Sequence, residues 1–527
     1  MRVGILDILK DSTETGWLEG HFNRNFRRHY ASITPQAVAV WCRQLGHEVH
    51  YATYYGQQRL DTLLPAELDV VFIAAYTQAS GLAYALAKLY RRRGARTVLG
   101  GPHATSFPTD SLRFFDLVVH HCDKKLIDRI LRGDFPAGTV ASSGHLLEEI
   151  PSVEERMPEI RTAGFHKGKP IMLSNVALLA SLGCPYRCDF CVDAQNDYVM
   201  LPKERLAADL RYVSERLPGL LVSFHDPNFA VKFDDVLEVL EAVPEGRRNP
   251  YVMESSLSIL RGERLDRLRR TNCIFVAPGV ESWTEYSNKA GAGRSSGREK
   301  LESVIQHFTD LHEAVPALQA NFIFGTDNDR GREPVELTKE FIARLPFVWP
   351  TINIPVPFGS TQLFDNYLAE DRILRAMPFV FYYMPNLVLR LRHYGLVEYY
   401  DLLIEIYSAI CSRRLLMRRL ASARTSGVRA LHLLRTAGAY SELRNLRGVR
   451  RALVGDPELR AFHEGRSEQL PEYYRRRLAA KLGPFAELLS WEELTPHLEE
   501  AAAPPAREVV RLAARPRLDG PTAPAFG

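Results

Sequence analysis

The chain has 527 residues, of which 46% are hydrophobic and 25% charged, and its formal net charge is +4. This length predicts two or three domains, and the composition excludes a disordered or fibrous protein. The near-neutral charge argues against a nucleic-acid partner, and no apolar run approaches the roughly 18 residues of a membrane span.

The start of the chain lacks a signal-peptide pattern. Asp7, Lys10 and Asp11 interrupt the early apolar residues. Such charges break the apolar core that a secretory signal requires. We therefore expect a cytoplasmic protein.

Residues 1–145 alternate short β-branched runs with helical segments, the pattern of a doubly wound, Rossmann-like parallel sheet. The predicted strands are residues 3–6, 48–52, 69–75, 96–100 and 116–119. Such sheets bind ligands beyond the carboxyl ends of their strands. The loops after residues 6, 75 and 99 are therefore the places to search for a site.

A polar stretch at residues 146–170 is predicted to be a linker, and a second α/β region follows at residues 171–390. Its six predicted strands are residues 177–182, 220–225, 251–255, 274–280, 319–325 and 352–357. Amphipathic segments lie between them, which indicates a partial TIM barrel of the β6/α6 kind. Residues 391–500 are predicted to form a helical C-terminal domain, and residues 501–527 an Ala/Pro-rich tail.

Two segments on the carboxyl side of the barrel leave alternatives open. The aromatic stretch MPFVFYYMPNLVL, residues 377–389, predicts either core packing or the wall of a hydrophobic substrate cavity. The arginine-rich helices predict either a solvated face or recognition of phosphate or carboxylate groups.

Three cysteines, Cys184, Cys188 and Cys191, follow the first predicted barrel strand in the sequence SLGCPYRCDFC. Three thiolates on a short loop hold three corners of a 4Fe-4S cluster and leave the fourth iron open for chemistry. A zinc site is one alternative, although the next 20 or so residues offer no second Cys or His pair as further ligands. Three ordinary core cysteines are the other alternative.

This loop resembles the signature of radical S-adenosylmethionine enzymes. The resemblance extends over at least residues 177–361 and includes the segments SFHDPNF, GVES, NFIFGTDND and PVPFGSTQL. It implies that Cys184, Cys188 and Cys191 bind the cluster, whose open iron chelates S-adenosylmethionine and cleaves it to a 5′-deoxyadenosyl radical. Contacts to S-adenosylmethionine are implied for Phe190, Asp226, Asn228, Glu254, Gly279, Glu281 and Ser282.

A doubly wound domain before the barrel resembles the cobalamin-binding branch of this family. The segments VLGGPHAT and YTQAS lie where that branch approaches its cofactor, and Gly100 and Gly101 would let the backbone come close to a large ligand. The residues implied to contact cobalamin are Thr77, Ser80, Gly100, Gly101 and His103.

Two departures from that branch keep bound cobalamin an open question. The segment DSTETG has Thr13 where classical cobalamin domains carry a cobalt-binding histidine, and the segment after Val119 reads HHCDKK rather than the usual glycine and glutamate. A retained fold without the cofactor is the alternative.

The leading functional hypothesis is a cobalamin-dependent C-methyltransferase acting on a secondary metabolite or lipid, with an external electron donor such as flavodoxin or ferredoxin. The runner-up is a radical cyclase, a ring-rearranging enzyme or an oxidising enzyme that transfers no methyl group. A non-catalytic iron–sulfur protein is a third class. The sequence identifies neither a catalytic residue nor the substrate.

Overall fold

The computed structural model shows two parallel sheets joined in one chain, followed by helices. The structure describes residues 1–13, 30, 32–56, 59–147, 149–171, 173–286, 290, 295–498 and 510–511. Most of the predicted tail, and Gly16 of the DSTETG segment, therefore lie outside the described residues.

The amino-terminal sheet is doubly wound, as predicted. Its strands are β1 Arg2–Ile8, β2 Glu48–Tyr54, β3 Val70–Ala75, β4 Arg96–Gly100, β5 Leu117–Val119 and β6 Thr139–Ser142. They lie in the order β6-β5-β4-β3-β1-β2, every pair is parallel, and a short strand at Val510–Arg511 adds to β6. The helices of this region are α1 Ile33–Gln44, α2 Ser80–Arg92, α3 Pro102–Ser106, α4 Pro108–Ser111 and α5 Lys124–Arg132.

The strands of this sheet are continuous apolar runs in the sequence because both faces of the sheet are buried. Six of the seven residues of β1 are buried, because helices cover the sheet on both sides. Strand β6 was not among the predicted strands. Its sequence, TVAS, is too short and too weakly apolar to stand out, although all four residues are buried.

The predicted linker at residues 146–170 contains helix α6, Val153–Gly164. Ser152 and Glu155 form a capping box at its start, with Ser152 Oγ accepting a hydrogen bond from the Glu155 N–H. Pro158 inside the helix obscured the helical pattern in the sequence. A small hairpin, β7 Phe165–His166 and β8 Lys169–Pro170, follows α6.

The second sheet is the predicted partial barrel. Its parallel strands are β9 Asn175–Leu178, β12 Leu221–Phe224, β13 Tyr251–Met253, β14 Cys273–Val276 continued by β15 Gly279–Glu281, β16 Ala317–Ile323 and β17 Val348–Asn353. A two-stranded ladder, β10 Ser181–Leu182 and β11 Val199–Met200, rises from the end of β9. The intervening helices are α7 Lys203–Arg216, α8 Phe233–Glu241, α9 Arg264–Arg270, α10 Gly297–Ala314 and α11 Glu333–Arg344.

In the described part of the chain, six further α-helices follow the last barrel strand. They are α12 Gln362–Ala369, α13 Leu396–Ile410, α14 Arg413–Ser422, α15 Ser426–Gly455, α16 Pro457–His463 and α17 Glu472–Leu482. Helix α13 lies between the barrel and α15 and donates hydrogen bonds from Tyr399 and Tyr407 to strand-end carbonyls. Among the described helices, none has the length and apolarity needed to cross a bilayer.

The two sheets approach each other through their carboxyl ends. Ser360, after β17, donates a hydrogen bond to the Thr105 carbonyl in α3, at 3.1 Å. A Cβ on Gly359 would lie 1.8 Å from the Ser106 carbonyl oxygen, so only glycine permits this approach. The carboxyl edges of both sheets, where folds of these kinds bind ligands, thus face one shared region.

Candidate active site

The cysteine loop spans residues 183–198 and is closed at its base by the β10–β11 ladder. Ser181 pairs with Met200 and Leu182 with Val199. Inside the loop the Cys184 N–H donates to the Asn196 carbonyl at 3.3 Å, and the Cys191 N–H donates to the Cys188 carbonyl at 3.1 Å. The three thiols therefore lie on one tightly turned segment beyond the first barrel strand.

The donor set fits an iron–sulfur cluster. Cys184 is buried, Cys188 and Cys191 are partly exposed, and none of the three forms a disulfide. Three thiolates on one short loop can hold three corners of a 4Fe-4S cluster and leave the fourth iron open.

Gly183 lets the loop leave β10. Its φ is +64°, and a Cβ there would lie 2.2 Å from the Asp197 carbonyl oxygen. We expect Gly183→Ala to lower the free energy of unfolding by about 2–4 kcal/mol and to reduce bound iron, because conformational strain and a backbone clash add. Chemical denaturation and iron analysis measure both effects.

Gly219→Ala is the matched control for that substitution. Gly219 has a similar φ of +73°, but no heavy atom lies within 4 Å of a Cβ built on it. This variant should lose only about 1 kcal/mol and keep its iron. Equal iron content in the two variants would contradict the role given to Gly183.

Asp226 is bound to the base of the cysteine loop. Its carboxylate accepts hydrogen bonds from the Ala180 N–H at 3.1 Å, the Ser181 N–H at 2.5 Å and the Ser181 hydroxyl at 2.6 Å. Burial raises the pKa of Asp226 to about 6, while these hydrogen bonds act in the opposite direction. Asp226 is thus a positioning residue for the chain that leads to Cys184.

Asn228 joins two strand ends and retains an unused donor. Its side-chain oxygen accepts a hydrogen bond from the Ser256 N–H at 2.9 Å, and the residue is only 2% exposed. Its Nδ2 and the Ser256 hydroxyl are both buried without a protein partner. Such orphaned groups indicate a missing ligand or water at this strand end.

The GVES segment adopts a strained turn. Glu281 has a φ of +65°, and its carboxylate folds back over Gly279, where a Cβ would lie 2.1 Å from Glu281 Oε1. A non-glycine residue in this region is uncommon and is concentrated at functional sites. Ser282 donates a hydrogen bond to Asp329 at 2.9 Å and so links this turn to the end of β16.

A cavity of about 500 Å³ lies between the two domains, within the range of small-molecule sites. Phe190, Glu254 and Glu281 line it from the barrel, and Gln78 lines it from the loop after β3. Tyr382, Tyr383 and Met384 form another part of the wall, whereas Phe379 and Phe381 of the same segment are buried in the core. Residues 377–389 therefore contribute side chains both to the core and to the wall of this cavity.

Tyr286 was not predicted from the sequence, yet it is central to one wall of this cavity. Its ring stacks on Phe190 with centroids 5.5 Å apart. A hydrogen bond from Tyr286 lowers the pKa of Asp189, but burial outweighs it and leaves that pKa raised. Cysteine-loop residues are thus held by the turn after β15, a contact between distant residues that no local motif reveals.

The amino-terminal residues implied to contact cobalamin occupy different positions. Thr77 and Ser80 are buried at the start of α2, and Gly101, with a φ of +87°, packs against the backbone of Ala75. Gly100 faces open space, since no heavy atom lies within 4 Å of a Cβ there. His103 is fully buried, 2.6 Å from the Tyr84 hydroxyl, and burial lowers its pKa to about 3.

Thr13 contacts the C-terminal helices. Its N–H and hydroxyl both donate to the Lys481 carbonyl, at 2.9 and 3.3 Å. Lys481 in turn donates to Asp11 and, at 2.6 Å, to the hydroxyl of Tyr383 in the cavity wall. The loop after β1 is therefore connected to the cavity through α17, and Thr13 presents no cobalt-binding nitrogen.

A partial barrel with a three-cysteine loop beyond its first strand defines a radical S-adenosylmethionine domain, the class that uses a 4Fe-4S cluster and S-adenosylmethionine. Residues 178–338 match the Radical SAM superfamily. The chain therefore carries a radical SAM domain, as predicted.

The chain is also similar to particular methyltransferases. It is 23% identical over 375 residues to bacteriochlorophyllide d C-8(2)-methyltransferase of Chlorobaculum tepidum, covering 68% of this chain and 81% of the relative. The radical S-adenosylmethionine methyltransferase TsrM from Kitasatospora setae, solved with tryptophan substrate and a SAM analogue, superposes with a TM-score of 0.55 and 13% identity over 85% of this chain and all of TsrM.

A second solved structure extends the likeness over more of this chain. The cobalamin-dependent S-adenosylmethionine radical enzyme OxsB, solved with aqua-cobalamin, gives a TM-score of 0.55 and 12% identity. The match covers 94% of this chain and 80% of OxsB. At this level of identity, the structural matches show the fold, including the doubly wound domain before the barrel.

Proposed function

We propose that this protein is a cobalamin-dependent radical enzyme that methylates an unactivated carbon of a small, largely apolar molecule. One observation carries the proposal: a cavity is lined by three of the predicted S-adenosylmethionine residues, Phe190, Glu254 and Glu281, and by Gln78 from the carboxyl edge of the amino-terminal sheet. The methyltransferase relative and the two structural neighbours support it.

In this proposal the chain's own residues hold, orient and enclose the reactants. Cys184, Cys188 and Cys191 bind the cluster, which supplies the electron that cleaves S-adenosylmethionine. Phe190, Glu254 and Glu281 line the S-adenosylmethionine end of the cavity. Contacts are also proposed for the other predicted residues of the strand ends: Asn228, Gly279 and Ser282, with Asp226 acting through the loop base.

Cobalamin is assigned to the open edge beside Gly100. Thr77, Ser80 and Gly101 would shape that edge. His103 is buried below it and would support it through its hydrogen bond with Tyr84. Because Thr13 is bound to Lys481, the chain would hold the cofactor without a lower histidine ligand. When bound, cobalamin supplies the methyl group.

The substrate would lie against the aromatic wall. Tyr382, Tyr383 and Met384 give this part of the cavity a broad apolar surface, while Asn321 and Asn353 offer polar contacts. A lipid or an aromatic metabolite fits such a surface. We also propose an external flavodoxin- or ferredoxin-type donor, a cytoplasmic location, and domains at residues 1–145, 171–390 and 391–500.

The decisive experiment uses anaerobically reconstituted protein with reductant and S-adenosylmethionine labelled with deuterium in its methyl group. Formation of 5′-deoxyadenosine establishes methyl transfer if it is accompanied by a methylated product that is 3 mass units heavier than the product made with unlabelled S-adenosylmethionine. Deoxyadenosine with an altered but unlabelled acceptor would instead favour the cyclising, rearranging or oxidising alternative. Failure to cleave S-adenosylmethionine would contradict the enzyme proposal altogether.

Gly100→Leu tests the assignment of the cobalamin edge. The open space around Gly100 should accept leucine without destabilising the fold, but the side chain would occupy the position of the cofactor. We expect more than about a tenfold loss of cobalamin affinity, measured by visible absorption after gel filtration. Gly438→Leu, at an equally open site on α15, is the control that should keep cobalamin.

A further inference from the structure

The opposite end of the barrel holds a second group of polar side chains, which the proposed reaction does not use. It consists of Arg419 on α14, His432 and Arg435 on α15, and His312 on α10, and we call it the basal cluster. It lies beside Phe275, Gln319 and Trp349, near the amino ends of their strands. The cavity described above lies at the carboxyl ends of the same strands.

The members of the basal cluster share one aromatic floor. The guanidinium carbons of Arg419 and Arg435 lie 4.5 and 5.8 Å from the centroid of the Trp349 ring. Arg435 also lies 5.0 Å from the Phe275 ring. His432 is close enough to both arginines, and to His312, for their charges to lower its pKa further, beyond the larger effect of burial.

Many of the guanidinium and imidazole nitrogens in this cluster have no partner. Arg419 is 0% exposed and His432 is 3% exposed. Arg419 donates through Nη1 to the Ile410 carbonyl at 2.8 Å, but its Nε and Nη2 are unpaired. Both ring nitrogens of His432 and Nδ1 of His312 are also buried without a protein partner. Five unpaired nitrogens at one place call for an explanation.

Among the described residues, the two arginines of the cluster have no carboxylate partner, and Glu313, which acts on His312, is paired with Arg424 at 2.9 Å. The pKa of Arg419 and of Arg435 is lowered only to about 10 by burial, so both are charged at neutral pH. Of the described residues, no carboxylate affects either pKa, and burial keeps the nearby Cys411 thiol neutral. Residues 412–455 contain eleven arginines and a single acidic residue, Glu442.

We propose that the basal cluster binds one small inorganic anion, of the phosphate, sulfate or chloride class. A fully buried guanidinium group beside a partly buried one is unfavourable without a counter-ion, and planar guanidinium donors match oxyanions well. Because Arg419 and His432 are almost fully buried, the site excludes larger anionic ligands. The anion would connect α14 and α15 to the base of the barrel, the face that contributes stability rather than chemistry.

The test measures the melting temperature of the anaerobically reconstituted full chain at constant ionic strength. Potassium gluconate, whose anion is too large for the site, is replaced stepwise by chloride, sulfate or phosphate. Specific binding raises the melting temperature by equal steps for each tenfold increase in anion concentration above the dissociation constant. General salt effects instead grow in proportion to concentration and require high salt. The three anions identify which one the site prefers.

Variants separate the site from the rest of the basic surface. Arg419→Met and His432→Leu should lose the response at low anion concentration, and Arg414→Met, an exposed arginine on the same helix, should keep it. In gluconate, Arg419→Met should melt above the wild-type protein, because it removes an uncompensated buried charge. The proposal would be overturned if the melting temperature of the wild-type protein rose only in proportion to salt concentration. It would also be overturned if His432→Leu kept the response at low anion concentration. Both outcomes can be measured even if Arg419→Met does not fold.

Discussion

Replacing Cys188 with alanine should abolish cleavage of S-adenosylmethionine and remove most of the cluster iron. Cys188 is one of only three thiols on the loop closed by β10 and β11, and a cluster held by two thiolates is exposed to loss. The same outcome is expected for Cys184→Ala and Cys191→Ala. Iron and sulfide content, the visible spectrum and the 5′-deoxyadenosine yield measure the effect.

Cys273→Ala is the matched control for the three loop variants. Cys273 is 3% exposed within β14, and burial raises the pKa of its thiol to about 12, so it remains a neutral core residue. Its loss should lower the free energy of unfolding by about 1 kcal/mol and leave the cluster intact. Full deoxyadenosine formation by any one of the three loop variants would refute the assignment of the cluster.

The barrel could be predicted from the sequence because its strands are buried on both faces and its motifs are local. The predicted strand at residues 177–182 corresponds to β9 and β10 with a two-residue break, and that at residues 274–280 corresponds to β14 and β15. The predicted strand at residues 352–357 shares only two residues with β17, and the other three match observed strands closely. The loop SLGCPYRCDFC carries its chemistry in consecutive residues. Helix α6 was not predicted, because the stretch is polar and contains Pro158 within the helix, although an S-x-x-E capping box marks its start.

The cavity could be predicted only in part, because it is built from contacts between distant segments. Glu254 and Glu281 follow strands and could be found, but Gln78, Tyr286 and Lys481 come from three separate regions. His103 is the opposite case, because its place in the sequence suggests a site residue while its side chain lies in the core. It stands in a glycine-rich loop that suggests ligand contact, yet its ring is buried against Tyr84 and Phe379.

Asp226 shows how a buried carboxylate can serve the site rather than the stability of the fold. The pKa of Asp226 is raised from 3.8 to about 6. Its contribution to stability is therefore fully present below pH 3.8 and is lost as the pH rises to about 6. At neutral pH the ionised form is unfavourable for folding, so its benefit lies in the three donors that it aligns at Ala180 and Ser181.

Asp226→Ala should consequently reduce S-adenosylmethionine cleavage by about 100-fold or more. It leaves two backbone N–H groups and a hydroxyl buried without an acceptor, at a cost of about 1–3 kcal/mol for each group. Asp226→Asn keeps an acceptor oxygen and loses only the charge, so we expect a loss of about tenfold or less. Deoxyadenosine yield per bound cluster separates this effect from a simple loss of iron.

The dependence of the cleavage rate on pH shows whether Asp226 aligns the loop through its negative charge or only through packing. In the wild-type protein the rate should fall as the pH drops through about 6, because Asp226 becomes protonated and its hydrogen bonds weaken. Asp226→Asn already resembles that protonated form, so its rate should not change over this range. Asp7→Asn is the control, since Asp7 has a similarly raised pKa of about 6 but binds Ser32 in the amino-terminal domain. If the fall in rate at low pH persists in Asp226→Asn and disappears in Asp7→Asn, the group that titrates lies in the amino-terminal domain and not in the barrel.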